Sequence, residues 1–116
     1  MLKLVYKLFR PEEWQQFQND MAFSGSPDDR RDGFIHFSTA EQLAETARRH
    51  FARDDLIILA EVEADSLGSA LRWEPSRGGA LFPHLYDRLP AAAVRRHWRL
   101  TRTDAGHALP EDLTHG

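Results

Sequence analysis

Five consecutive aliphatic residues, Leu56 to Ala60, open the segment LIILAEVE (56–63), and they constrain the fold more than any other feature. Side chains of a strand alternate, so Leu56, Ile58, Ala60 and Val62 share one face, with Ile57 and Leu59 on the other. Both faces are apolar, which predicts a central strand covered on each side. The run is far too short to cross a bilayer. A chain that buries this strand must surround it with other elements.

Those elements can be read along the chain. LKLVYKLF (2–9) alternates Leu2, Leu4, Tyr6 and Leu8 against Lys3, Val5, Lys7 and Phe9, a strand pattern. Pro11 with Glu12 and Glu13 starts a helix, and Trp14 and Phe17 give it an apolar stripe. Residues 20–33, with Gly25, Pro27 and Gly33 among Ser and Asp, predict a long loop. FIHFS (34–38) is a short strand. Ser38 with Glu41, or Thr39 with Gln42, then forms a capping box for a helix reaching about Ala52. Its inward face would hold Leu43, Ala44, Ala47, His50 and Phe51.

LRWEP (71–75) is extended and followed by a flexible Gly78-Gly79 connection. LFPHLY (81–86) is also extended, and Pro83 places it at a sheet edge or a bulge. VRRHWRLTR (94–102) alternates as a last strand. Residues 1–102 therefore read as a single domain, and 103–116 as a polar tail that frays. Helices early and strands late predict an α+β fold with a mostly antiparallel sheet and two main helices.

Composition excludes several functions. The 116 residues carry 15 Lys and Arg against 18 Asp and Glu, a net charge of −3, which argues against a protein that coats polyanions. Nucleic acid is a disfavoured partner, although the Arg-rich stretch 88–102 leaves local phosphate contact open beside its plainer role as a charged edge strand. There is no cysteine, hence no disulfide, thiolate nucleophile or Cys-based zinc site. Lys3 and Lys7 interrupt the first apolar residues and no small-residue cleavage site follows. The expectation is a soluble cytoplasmic protein with no membrane partner.

Six histidines remain to be sorted. His50, His107 and His115 fit ordinary surface or packed positions, and His97 belongs to the Arg-rich strand. His36 precedes a helix start, with Ser38 on its own face and Thr39 beside it, so hydroxyls and free N–H groups offer an anion site. Equally, the segment could be a cap plus a satisfied histidine. His84 has Tyr86 on its face, a pair able to grip a planar ring or a ribose hydroxyl, or to form an ordinary cross-strand contact. Trp73, Glu74 and Arg77 join an aromatic, a carboxylate and a cation next to the Gly-Gly turn. Glu74 could be a base, a ribose binder or the partner of Arg77. His36, His84 and Glu74 lack local ligand spacing, so no metal is expected.

DGFIHFST, LRWEPSRGG and FPHLYDRLP together resemble the bacterial family of domain of unknown function 952, over nearly the whole chain to about Arg102. That family is similar in fold to the ADP-ribosyltransferases, which bind NAD in the cleft of a split sheet. GFIHF (33–37) resembles the strand end whose Tyr stacks on nicotinamide, with His36 at the Tyr position. Glu61-Val62 resembles the end of the following strand. FPHLYDRLP resembles the Glu-bearing strand without its Glu, with Phe82 and His84 nearest, and Lys7 stands where a ribose-binding His or Arg would be.

The resemblance implies a cleft for a nucleotide or ADP-ribose-type small molecule, with NAD or a related nucleotide as the ligand or cofactor. In a divergent ADP-ribosyl- or phospho-transferase or hydrolase, His36 or His84 would be the acid/base and Glu74 the ribose or base partner. Lys7 or Arg77 would clamp phosphate, and Ser38, Thr39, Trp73 and Tyr86 would complete the binding set. The alternative class is a non-catalytic binding module on the same fold. The absent Glu implies weak or absent NAD turnover.

Overall fold

In the computed structural model, which describes residues 3–113 apart from the Arg77 side chain, LIILAEVE forms β4 (Leu56–Glu63). Six of its eight residues are buried. It lies between β1 (Leu4–Phe9) and β8 (Val94–Thr103), antiparallel to both, and β9 (Gly106–His107) extends the far end of β8. One face of this sheet carries Val5, Phe9, Ile58, Ala60 and Val62. It packs on α1 (Pro11–Asp20) through Trp14 and Phe17, with the Phe9 and Phe17 rings stacked at 5.4 Å. The other face carries Leu4, Tyr6, Leu8, Ile57, Leu59 and Leu100, and packs on Leu43 and Ala47 of α3 (Leu43–His50). The central strand is covered on both sides, as its composition requires.

A second antiparallel sheet has the order β3 (Ile35–His36), β6 (Leu81–Leu85), β5 (Leu71–Pro75). The FPHLY strand is thus central rather than an edge. Pro83 is tolerated because its carbonyl accepts from Phe37 N at 2.9 Å, on the side where β3 has already ended. Its missing N–H points the same way, so the ladder towards β5 loses nothing. The two sheets join through a backbone pair between Tyr6 and Ser38, bonded in both directions at 2.8 Å. Ile35, Phe37 and Leu85 turn inward and share the core of the first sheet. The result is a mixed α+β domain with curled antiparallel sheets and few helices.

Three local expectations are corrected. Residues 20–33 are not a loop: β2 (Ala22–Phe23) pairs with β7 (Leu89–Pro90), and Pro27–Asp32 form a short helix, α2. Ser26 caps it, accepting from Asp29 N at 3.2 Å while Asp29 Oδ2 accepts from Ser26 N at 2.9 Å. Gly33 ends it in the left-handed region at φ 87°, where a side chain is disfavoured.

The start of α3 uses the Thr39–Gln42 pair rather than Ser38–Glu41, since Ser38 Oγ is engaged by Thr46 Oγ1 at 3.0 Å. That helix stops at His50, and both His50 and Ala44 are exposed. The tail expected to fray instead completes β8, forms β9, and buries Leu113, because Leu109 and Leu113 give it apolar anchors. His115 lies outside the described residues. Among those described, no helix is long and apolar enough to cross a membrane.

Candidate functional site

Strand alternation places the site. His36 and His84 are direct partners in the β3–β6 register, so both imidazoles leave the same face, with ring centroids 5.6 Å apart. Arg72 pairs with His84 and Glu74 with Phe82, which adds them to that face, as alternation adds Phe34 and Tyr86. Phe34 stacks on His84 with centroids 4.0 Å apart and leaves it 4% exposed. This polar face borders a cleft of about 470 Å³ at the seam between the sheets. His36, Ser38, Phe82, His84, Lys7 and Asp29 line it, together with Arg10 and Arg49.

His84 Nδ1 lies 2.8 Å from Glu74 Oε1, and the same oxygen accepts from Tyr86 Oη at 2.7 Å. The hydrogen bond from Tyr86, then that from His84, lowers the pKa of Glu74; the Tyr86 phenol is raised by Glu74 in turn. A carboxylate on Nδ1 fixes that nitrogen as the donor, so the neutral ring presents the Nε2 lone pair. Among the described residues Nε2 makes no hydrogen bond. A buried histidine, oriented by a carboxylate and bordering a cleft, is an acid/base arrangement.

His36 is held differently. Its Nδ1 lies 2.6 Å from Asp29 Oδ1 and its Nε2 lies 2.9 Å from Asp32 Oδ2. Each ring nitrogen thus faces a carboxylate oxygen. Asp29 is the hub: 2% exposed, it also accepts from Lys7 Nζ at 3.0 Å, Ser26 N at 2.9 Å and His36 N at 3.1 Å. Burial alone would raise its pKa. The His36 hydrogen bond, the Lys7 charge and the two backbone donors overcome that and hold it well below the usual carboxylate range. Lys7 is therefore engaged by Asp29, not free to clamp a phosphate. Arg31 donates to Asp32 at 3.0 Å, and this, more than His36, keeps the Asp32 pKa low.

The remaining sequence candidates separate. Ser38 lines the cleft, whereas Thr39 turns its backbone N–H to Gln42 Oε1 at 3.0 Å and does not. Tyr86 supports Glu74 from outside the cleft. Trp73 is misplaced by the sequence reading. It pairs with Pro83 on the opposite face and packs against the core, with Lys3 Nζ 4.2 Å from its ring centre. Adjacent residues of a strand face opposite ways, so Trp73 and Glu74 cannot serve one site. The Arg77 side chain lies outside the described residues. In the Arg-rich strand, Arg96 is committed to the fully buried Glu61 by two bonds of 2.9 Å, and Tyr6 Oη completes that group at 2.9 Å.

Asp29, Asp32, Arg10 and Arg49 were missed by the sequence reading. Ser26-Pro27-Asp28-Asp29 does carry a signal, a cap followed by proline and acids, that marks the short helix bearing both acids. Among the described residues no group of three or more His, Asp and Glu has metal-binding geometry.

The chain matches the family described as protein of unknown function (DUF952) over residues 8–97. It is similar to the crystal structure of protein CC0527 from Caulobacter crescentus, at 43% identity and a TM-score of 0.86, covering 90% of this chain and 91% of that one. The solution structure of the same bacterial protein gives 43% identity and a TM-score of 0.80, covering 90% of each chain. No curated protein gives a significant match. With the match spanning most of its length, this chain belongs to the DUF952 family.

Proposed function

We propose that the seam cleft binds a nucleotide or ADP-ribose-type ligand, with His84 as the acid/base group of a divergent transferase or hydrolase. The observation that carries this reading is the His84 ring, which lines the cleft, is tied to Glu74 through Nδ1, and has an Nε2 with no hydrogen bond among the described residues. The cleft volume, about 470 Å³, suits a small molecule. Arg49, whose ion pair with Glu45 is long at 3.7 Å, suits phosphate, whereas Arg10 is held by Asp54 at 3.3 Å and the His50 carbonyl at 3.1 Å. Two antiparallel sheets meeting at a seam beside this cleft support the likeness to the ADP-ribosyltransferases. No carboxylate occurs within Leu81–Tyr86, and Glu74 is committed to His84 and Tyr86, so NAD transfer is expected to be weak or absent.

The non-catalytic module is favoured by a different observation: Lys7, Asp29 and His36 satisfy one another and leave little free for chemistry. Thermal shifts with NAD, ADP-ribose, mononucleotides and phosphorylated RNA ends decide whether the cleft is a site, because a bound ligand raises the melting temperature. His84→Ala then separates the classes. An enzyme loses roughly 10²–10⁴ in rate, whereas a binder loses about 1–2 kcal/mol of affinity. A panel without any shift would remove the nucleotide reading, and robust NAD turnover untouched by His84→Ala would move the active centre elsewhere.

A further inference from the structure

The clearest internal conflict in the cleft is the carboxylate of Asp32. It sits between the His36 ring and the Arg31 guanidinium, 2.9 Å from His36 Nε2 and 3.0 Å from Arg31 Nε, on the C-terminal end of α2, and Arg31 also reaches Asp28 at 3.2 Å. Unlike Asp29, it is not needed to orient the ring: Asp29 already grips Nδ1 and the His36 backbone N–H. Asp32 is also less confined, with its side chain 32% exposed against 2% for Asp29, and it lines the cleft together with Arg31 and His36. A ring N–H beside a guanidinium is a receiving position for a phosphate or carboxylate. Here the chain's own carboxylate occupies it.

We infer that His36 Nε2 and Arg31 form an anion-binding slot for the phosphate group of the ligand, and that Asp32 is a built-in competitor which the ligand displaces. This rests on reading the cleft as a ligand site, and it assigns the phosphate a place beside the His84 ring, whose centroid lies 5.6 Å from that of His36. When the incoming oxyanion replaces the carboxylate, His36 exchanges one charge-assisted hydrogen bond for another. Asp29 keeps the ring fixed throughout. A protein that must open an internal contact binds more weakly by the fraction of molecules in which that contact is open.

The test uses inorganic phosphate alone, so that it does not depend on the nucleoside. Titration by calorimetry, with the His36 ring followed by NMR, compares the parent with Asp32→Ala. The variant is expected to bind phosphate about tenfold more tightly, the factor by which one charge-assisted hydrogen bond favours the closed arrangement. The His36 Nε2 resonance should move on binding, and adding His36→Gln or Arg31→Ala to Asp32→Ala should reverse the gain. Asp32→Asn keeps the size and one acceptor, and serves the same comparison if the alanine variant folds poorly.

Equal or weaker phosphate binding by both Asp32 variants would overturn the slot, as would a gain that survives loss of His36. Phosphate binding that follows this pattern while no nucleotide binds would retire the nucleotide reading and leave the slot standing. Nucleotide binding indifferent to Asp32 would do the reverse.

Discussion

Asp29→Asn is the most informative single change. The amide keeps the shape of the side chain but removes the negative charge that faces Lys7 and His36. Lys7 is 6% exposed and Asp29 2%, so the ammonium would be left buried without its counter-charge. Breaking a buried pair from one side costs about 3–5 kcal/mol, far more than the pair is worth against an apolar replacement. A chain of this length has roughly 6–17 kcal/mol in total, so the loss is a large share of it. In a melt it corresponds to a fall of about 10–20 °C.

The pH dependence provides a second readout. The folded-state pKa of Asp29 lies below its unfolded value, so its contribution is fully present above about pH 4–5 and is lost as the pH falls towards the folded value. The parent should therefore lose melting temperature on acidification more steeply than Asp29→Asn, and the gap between them should narrow as the pH falls below about 4. Circular dichroism melts from pH 7 down to pH 3 make the comparison. Adding Lys7→Met to Asp29→Asn should regain stability, because the unpaired ammonium is gone while the amide keeps an acceptor for the His36 N–H. A variant melting within about 2 °C of the parent at pH 7, with an unchanged acid slope, would refute the claim that this pair holds α2 to the sheet.

Two further outcomes test the assignment of faces and turns. Trp73→Ala should cost about 2 kcal/mol in urea unfolding, less than a fully buried Trp because the ring is partly exposed, and leave cleft affinity unchanged. Loss of ligand binding at unchanged stability would return Trp73 to the site. Met21 ends α1 in the left-handed region at φ 62°, with 66% of its surface exposed. Met21→Gly should therefore stabilise by about 0.5–1 kcal/mol, read from the denaturation midpoint, and a destabilised variant would show that the methionine side chain supports the fold.

Period-two patterning carried most of what could be read beforehand. It gave β1, β4 and β8, and it put His36 beside Ser38 and His84 beside Tyr86. The helix α2 escaped because six residues are too few for a periodic stripe, even though Ser26, Pro27 and Asp29 supplied its start. The hub at Asp29 was beyond reach for another reason. What buries that carboxylate is Lys7, on a strand 22 residues away, and no local pattern encodes that meeting. Trp73 failed because the WEPSR run was taken as one motif, where strand alternation sends Trp73 and Glu74 to opposite faces. Pro83 suggested an edge, yet the strand β3 is so short that the proline costs nothing in the middle.

The pairing of β1 with β4 also sets an order of events during synthesis. Leu4 lies opposite Glu63 and Phe9 opposite Ile58, so β1 emerges from the ribosome 49 to 59 residues ahead of the strand that will shelter it. At roughly 5–20 residues per second the wait is about 3–12 seconds. During that interval LVYKLF is a nascent strand with nothing beside it, the kind of segment that recruits other chains. Lys7 interrupts it with a charge at the centre. The residue that later becomes the buried partner of Asp29 is thus, for the unfinished chain, a guard against premature association.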